Sequence, residues 1–256
     1  MIDRLWRTYS PEDGGAQTIG CGPLQVYLQW SSNEIWIAHR QRPWPAASDD
    51  TEEEVADLNW SRWALNENDT AVEVAPALPA TPILLKPEDP YRIVPGATTR
   101  IYTRVPLWLQ IRTSKGKLLL TEIPTVVMSS TWFGSTIDGE RCLSHNSSVR
   151  RFLTDNFFLP HLASCTFEVR NSSPTELRFD KICLRTENLT LFDHEGNLWT
   201  DVTSVTYKGV GGDGEVSMSG KPPNEAQGAS VISRPRVHKS SNLAVRTFEL
   251  LREIRN

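Results

Sequence analysis

The sequence predicts a mainly β protein: two Ig-like antiparallel β-sandwich halves, or one extended sandwich, with a short central helix and a C-terminal amphipathic helix. Three observations predict it. Apolar and polar residues alternate with a period of two in runs of four to eight. Turn residues recur about every ten positions between those runs. Helical periodicity is nearly confined to the end of the chain, so strands do not alternate with helices as a parallel βαβ sheet requires. The 256 residues, 39% hydrophobic and 23% charged, can bury one large β core or two smaller ones. Roughly thirteen to sixteen strands would suit that length.

The elements follow in order. LQVYLQW (24–30) and EIWIAHR (34–40) read as a hairpin around the polar turn Ser31-Ser32-Asn33, with Ile35 and Ile37 on one face and Trp36 on the other. RPWPAASDDTEEEVAD carries six carboxylates between residues 49 and 57 and reads as a solvated loop or short surface helix. It lacks the alternation and glycine of a calcium loop. LNWSRWAL (58–65) and AVEV (71–74) are read as strands. Six prolines punctuate residues 76–95, and Pro106 follows. Proline is excluded from central ladders, so it marks strand starts, edges and bulges. Between the prolines lie strands at PILL (82–85), TTRIYTRV (98–105) and PLWLQIRT (106–113), then KGKLLLTEIP (115–124).

Residues 143–163 change character and are taken as a junction between an N-terminal β domain (1–142) and a C-terminal β-sandwich (164–239). Ser147 or Ser148 is placed to cap a short helix through Phe152, ended by the apolar cluster around Phe157 and Phe158. In the second half Phe167 and Val169 alternate with polar neighbours. So do Leu177, Phe179, Ile182 and Leu184, around a bulge at Asp180-Lys181. Residues 208–230 form a glycine-rich loop with one strand at Val216-Ser217-Met218, and VISRPRVH (231–238) closes the sheet. In residues 240–256 Val245, Phe248, Leu251 and Ile254 fall on one helical face, which predicts the terminal helix.

The formal net charge of −4 gives no global reason to bind nucleic acid. The first residues carry no apolar signal run, and no stretch is apolar enough to span a bilayer, so a cytoplasmic protein is expected. Cys21, Cys142, Cys165 and Cys183 have neither CxxC nor His/Cys spacing, so reduced structural thiols and no metal or other cofactor are expected. Nine tryptophans is a high number, and it points to surface anchors as well as core.

The sharpest local feature is IPTVVMSSTWFG (123–134). Trp132 and Phe133 are adjacent on a strand, so one enters the core and the other must lie outside it. The other ring is expected either beneath the terminal helix or the 156–159 cluster, or in a groove shared with Trp108 and Trp199.

PYRIVPGATTRIYTRVPLWLQI, LLLTEIPTVVMSSTWFGSTIDGERC and NLTLFDHEGNLWTD together resemble a catalogued prokaryotic β-rich family of unknown function, marked by Pro-Leu-Trp followed by Ser-x-Thr-Trp-Phe-Gly. The resemblance spans most of residues 90–201 and implies a bacterial or archaeal cytosolic β-rich protein, with no activity and no functional residues assigned.

Catalytic signatures are missing. Ser129, Ser130 and Thr131 have no G-x-S-x-G elbow, and their hydroxyls read as strand-end bonds to backbone. Asp193-His194-Glu195 reads as turn polarity, and the glycines at 209–214 lack the Lys-Ser/Thr of a phosphate loop. The expected function is therefore non-catalytic: a binding or assembly module contacting a protein partner or its own copy. Its surface would include Trp132, Phe133, Trp108, Trp199, Ser129, Thr131, Arg150 and Arg151. The alternative is a hydrolase or small-ligand site, metal- or carbohydrate-binding, built near residues 129–134, His145 and Asp193.

Overall fold

The computed structural model describes residues 5–45, 55, 57–134, 137, 139–147, 149–154, 157–209, 214–237, 243–244 and 248–250. Along the chain run β1 (Thr8–Tyr9), β2 (Ala16–Cys21), β3 (Leu24–Ser31), β4 (Glu34–Gln41), β5 (Ser61–Ala64), β6 (Val72–Ala77), β7 (Ile83–Lys86), β8 (Tyr91–Ile93), β9 (Thr98–Pro106), β10 (Trp108–Thr113) and β11 (Leu119–Pro124). There follow β12 (Ser129–Phe133), β13 (Glu140–Asn146), β14 (Leu162–Asn171), β15 (Leu177–Leu184), β16 (Leu191–His194), β17 (Asn197–Thr200), β18 (Thr203–Tyr207), β19 (Glu215–Met218), β20 (Ser230–Ser233), β21 (Leu243–Ala244) and β22 (Phe248–Leu250). The protein is mainly β, with four sheets among the described residues. No described helix is long and apolar enough to cross a membrane. The chain forms two compact units: residues 1–77 with 106–127, and 78–105 with 128–256.

The first unit holds two antiparallel sheets, ordered β1-β6-β10-β11 and β2-β3-β4-β5. The β3–β4 hairpin has the expected register, Trp30 opposite Ile35 and Leu28 opposite Ile37, closed at Ser32-Asn33 with Ser32 at φ 53°. Ile35 and Ile37 enter a core shared by both sheets, which also takes Val26, Leu28, Val74, Leu109, Ile111 and Ile123. Trp36 points the other way and receives the Arg62 guanidinium at 5.3 Å, while Arg62 is bidentate to Glu34 at 2.6 and 2.7 Å. LNWSRWAL does form a strand, β5, whose Trp63 packs at the rim of that core. Pro76 sits inside β6 opposite Leu109, but β1 covers only Val72 and Glu73, so only one side of β6 needs a ladder at the proline. Asp69 binds the turn before β11, accepting from the Ser114 hydroxyl and the Lys115 and Gly116 amides. Those donors hold its carboxyl down at about 2.

The second unit holds the sheets β12-β13-β7-β15-β22, with β8 also on β15, and β20-β16-β17-β14-β18-β19-β21, with β9 also on β14. These sheets are mixed. β13 runs parallel to β7, and β14 runs parallel to β17 and β18. An antiparallel arrangement throughout was expected, since neighbouring strands along a chain favour hairpins. Here the parallel crossover from β7 to β13 runs through β8 to β12 rather than through a helix. The bulge expected near Asp180 appears as a register shift between Phe179 and Lys181 against β22. Residues 143–163, expected as a junction, lie within this unit.

Two helix expectations need correction. The described part of 147–152 forms no helix: Arg150 bridges Tyr102 by reciprocal backbone bonds of 2.7 and 2.9 Å, and the chain bends at Arg151 and Phe152. Ser147 caps nothing, because its hydroxyl is taken by Thr103 Oγ1 at 2.9 Å and the Arg104 amide at 3.3 Å; Ser148 lies outside the described residues. In 240–256 the described residues are strands, β21 on β19 and β22 on β15. The spacing of Val245, Phe248, Leu251 and Ile254 suits a helix, but β-branched and aromatic residues suit a strand as well, and Phe248 lies in β22 on the edge of β15. The remainder of that segment lies outside the described residues.

Candidate functional site

The strand β12 decides the question raised by Trp132 and Phe133. It pairs with β13 in the register Ser130 to Leu143, Thr131 to Cys142, Trp132 to Arg141 and Phe133 to Glu140. Alternation then puts Ser129, Thr131, Phe133 and Cys142 on one face, and Ser130, Trp132, Arg141, Leu143 and His145 on the other. Phe133 is 2% exposed and packs with Leu84, Cys142 and Cys183. Trp132 is 53% exposed. It lies directly across from Arg141, whose guanidinium donates to Ser130 Oγ at 3.1 Å. β12 is also the end strand of its sheet among the described residues. The result is an aromatic and arginine surface on a sheet edge, with Arg141 the arginine that accompanies the ring.

The other expected residues fall elsewhere. Trp199 is 2% exposed and packs against Phe158 with tilted rings, centroids 5.3 Å apart, so it serves the core with Phe192 and Ala226. From the expected 156–159 cluster, Phe158 packs on Trp199. Trp108, half-buried, opens β10 in the first unit. Arg151 is exposed. The hydroxyls of Ser129 and Thr131 face away from His145, and Asp193 lies on the other sheet, where its Oδ1 accepts from the Gly196 amide at 2.9 Å. Among the described residues no hydrogen bond joins Ser129, Thr131, His145 and Asp193, and no His, Cys, Asp and Glu group could hold a metal ion.

A second cluster centres on β9. Arg100, Tyr102 and Arg104 share a face of that strand by alternation. Glu225 gathers the first two: Tyr102 donates to it at 2.6 Å, and Arg100 lies 3.3 Å from its other oxygen. Burial and that carboxylate push the Tyr102 hydroxyl up to about 12. Arg104 goes elsewhere. Its Nη1 donates to the Phe157 carbonyl at 3.4 Å, and its guanidinium carbon lies 5.3 Å over the Phe157 ring. Arg150 approaches from the bridge at Tyr102 and donates to Thr154 Oγ1 at 3.0 Å. Burial and the Arg150 charge lower the pKa of Arg104. His145, at the end of β13, and His161, just before β14, lie near enough to feel the Arg104 charge. Burial, then the Arg104 charge, holds both imidazoles down at about 4, with His145 adding to the effect at His161. They are neutral at pH 7. Arg104 and Arg141 escaped sequence reading, although the recurrence of Arg100, Tyr102 and Arg104 at i, i+2, i+4 was the available signal for the first.

All four cysteines are buried free thiols. Cys142 and Cys183 converge to 3.7 Å across β7, with Glu140 Oε1 3.7 Å from the Cys183 sulfur and Arg185 ion-paired to Glu140. The hydrogen bond shared with Cys142, together with burial, raises the pKa of Cys183.

No curated protein and no solved structure matches the chain. A family model described as "Protein of unknown function (DUF432)" matches residues 5–252, and the chain belongs to that family.

Proposed function

We propose that this protein is a non-catalytic binding and assembly module whose contact surface is the edge formed by β12 and β13, and that its partner is a second copy of the same chain. The observation that carries the reading is Trp132, 53% exposed across from Arg141 on an end strand. Natural edge strands are protected by charges, prolines or bulges. Ser129–Phe133 contains neither charge nor proline. An uncharged edge can pair antiparallel with itself about Thr131 without like-charge repulsion, which is the self-complementarity a twofold dimer needs. Covering the open half of a tryptophan, on the order of 100 Å², would contribute about 2–3 kcal/mol per copy.

The finer assignments belong to the same reading. Each pair of sheets is taken as an Ig-like sandwich, a view supported in the first unit by the single core between its sheets. A cytoplasmic setting is supported by four buried cysteines that form no disulfide, and a prokaryotic one by the resemblance of the Thr-Trp-Phe-Gly segment. The test is sedimentation equilibrium of the wild type and of Trp132→Glu. A dimer that becomes a monomer with unchanged circular dichroism is expected. A monomeric wild type at high micromolar concentration, or a dimer indifferent to Trp132→Glu, rejects the assignment.

A further inference from the structure

We propose that Arg104 and Arg150, with His145 and His161 beside them, form a binding site for a phosphate group. The inference is independent of the assembly reading and starts from an imbalance of charge. Arg7, Arg62, Arg92, Arg100 and Arg185 each contact a carboxylate. Among the described residues Arg104 and Arg150 contact none; their hydrogen-bond partners are a carbonyl and a hydroxyl, both neutral. The Arg104 Nε is buried and makes no hydrogen bond. A half-buried guanidinium next to a second one is costly unless an anion offsets it.

The surroundings fit a phosphate better than a carboxylate. Two guanidiniums present forked N–H donors and two positive charges, matched to a group that carries close to two negative charges and three acceptor oxygens. A planar carboxylate, with one charge and two oxygens, would satisfy one fork. The His145 imidazole feels the Arg104 charge, and an approaching dianion favours its protonated form, offsetting that effect. Arg104, Arg150 and His145 all keep part of their surface in solvent, so the group can be reached. Phe157, fully buried, holds the Arg104 guanidinium in place through its carbonyl at 3.4 Å and its ring at 5.3 Å.

The experiment is a titration of the full chain with inorganic phosphate, glycerol phosphate and acetate at constant ionic strength, read by thermal shift and by the imidazole resonances of His145 and His161. A saturable rise in melting temperature with inorganic phosphate or glycerol phosphate, exceeding that with acetate, is expected. The two imidazoles should then titrate at higher pH in the presence of that ligand. Stronger binding of glycerol phosphate assigns the site to a phosphoester, and stronger binding of inorganic phosphate assigns it to the free ion. Arg150→Gln and Arg104→Gln should each weaken binding at least tenfold. Should Arg104→Gln fail to fold, Arg150→Gln, at a part-exposed position, decides alone. No saturable response to either phosphate, an equal response to acetate, or full binding by Arg150→Gln overturns the proposal.

Discussion

Asp201 shows what one buried carboxylate can hold. Its Oδ1 accepts the Thr190 amide and its Oδ2 the Gly220 amide, each at 2.9 Å, tying the start of β16 to the turn after β19. Burial raises its pKa against the pull of those donors. Asp201→Ala leaves both amides without an acceptor, and a loss of about 2–4 kcal/mol in urea unfolding is expected. A loss below ~1 kcal/mol would mean that water replaces the carboxylate. The histidines make a second prediction at this scale. In the unfolded chain an imidazole takes its proton near pH ~6.5. In the folded chain His145 and His161, facing Arg104 and its neighbour Arg150, take theirs at about 4. Between those values the unfolded state binds more protons. Their contribution is therefore complete above pH ~6.5 and is lost as pH falls toward 4, at no more than about 1.4 kcal/mol per pH unit for each imidazole. Urea unfolding at pH 7, 6 and 5 should show a shallower acid slope in His145→Asn/His161→Asn than in the wild type; equal slopes would contradict the assignment.

At the scale of the element, β12 separates two roles that adjacent letters hide. Phe133→Ala empties a packed site between Leu84, Cys142 and Cys183 and should cost about 3–5 kcal/mol. Trp132→Ala, measured at concentrations where the chain is monomeric, should cost less than about 1 kcal/mol, because its ring is largely in solvent. Similar losses for the two would show that Trp132 is buried in solution. This division was legible in the sequence, since pleat alternation alone requires it. The β3–β4 hairpin and the shift beside Asp180 were legible for the same reason: local period and turn chemistry fix them. β22 was not. Its apolar spacing satisfies a helix equally well, and the choice belongs to the free edge of β15, a partner more than sixty residues away.

At the scale of the whole molecule, the chain enters the second unit after Ala77, returns at Pro106 and leaves again after Val127. Ala77 and Trp108 are ladder partners, so the ends of the excursion are already adjacent. Residues 1–77 joined to 106–127 through Asn-Gly should therefore fold as a cooperative β protein, since all strands of both sheets of that unit are retained. Residues 1–77 alone should not, because β6 loses β10 and the core loses Leu109, Ile111 and Ile123. Chemical-shift dispersion and urea cooperativity distinguish the two, and a joined chain that stays unfolded would show that the unit needs the rest of the protein. The candidate surfaces divide in the same way. The aromatic part of the edge was visible in Ser-x-Thr-Trp-Phe-Gly, whereas Arg141 joined it through strand register, and Trp199 left it because Phe158 folds over its ring.

The sequence by itself determined the β class, most strand positions, the turns and the opposed fates of Trp132 and Phe133. Each depends on period two or on the dihedral limits of proline and glycine, which act within a few residues. Tertiary structure alone decided which strands run parallel, that Arg150 bridges Tyr102 beside Arg104, and that His145 and His161 lie within reach of the Arg104 charge. The parallel pairings and the bridge between Tyr102 and Arg150 rest on contacts between segments more than thirty residues apart. There, burial against a distant partner outweighs local preference.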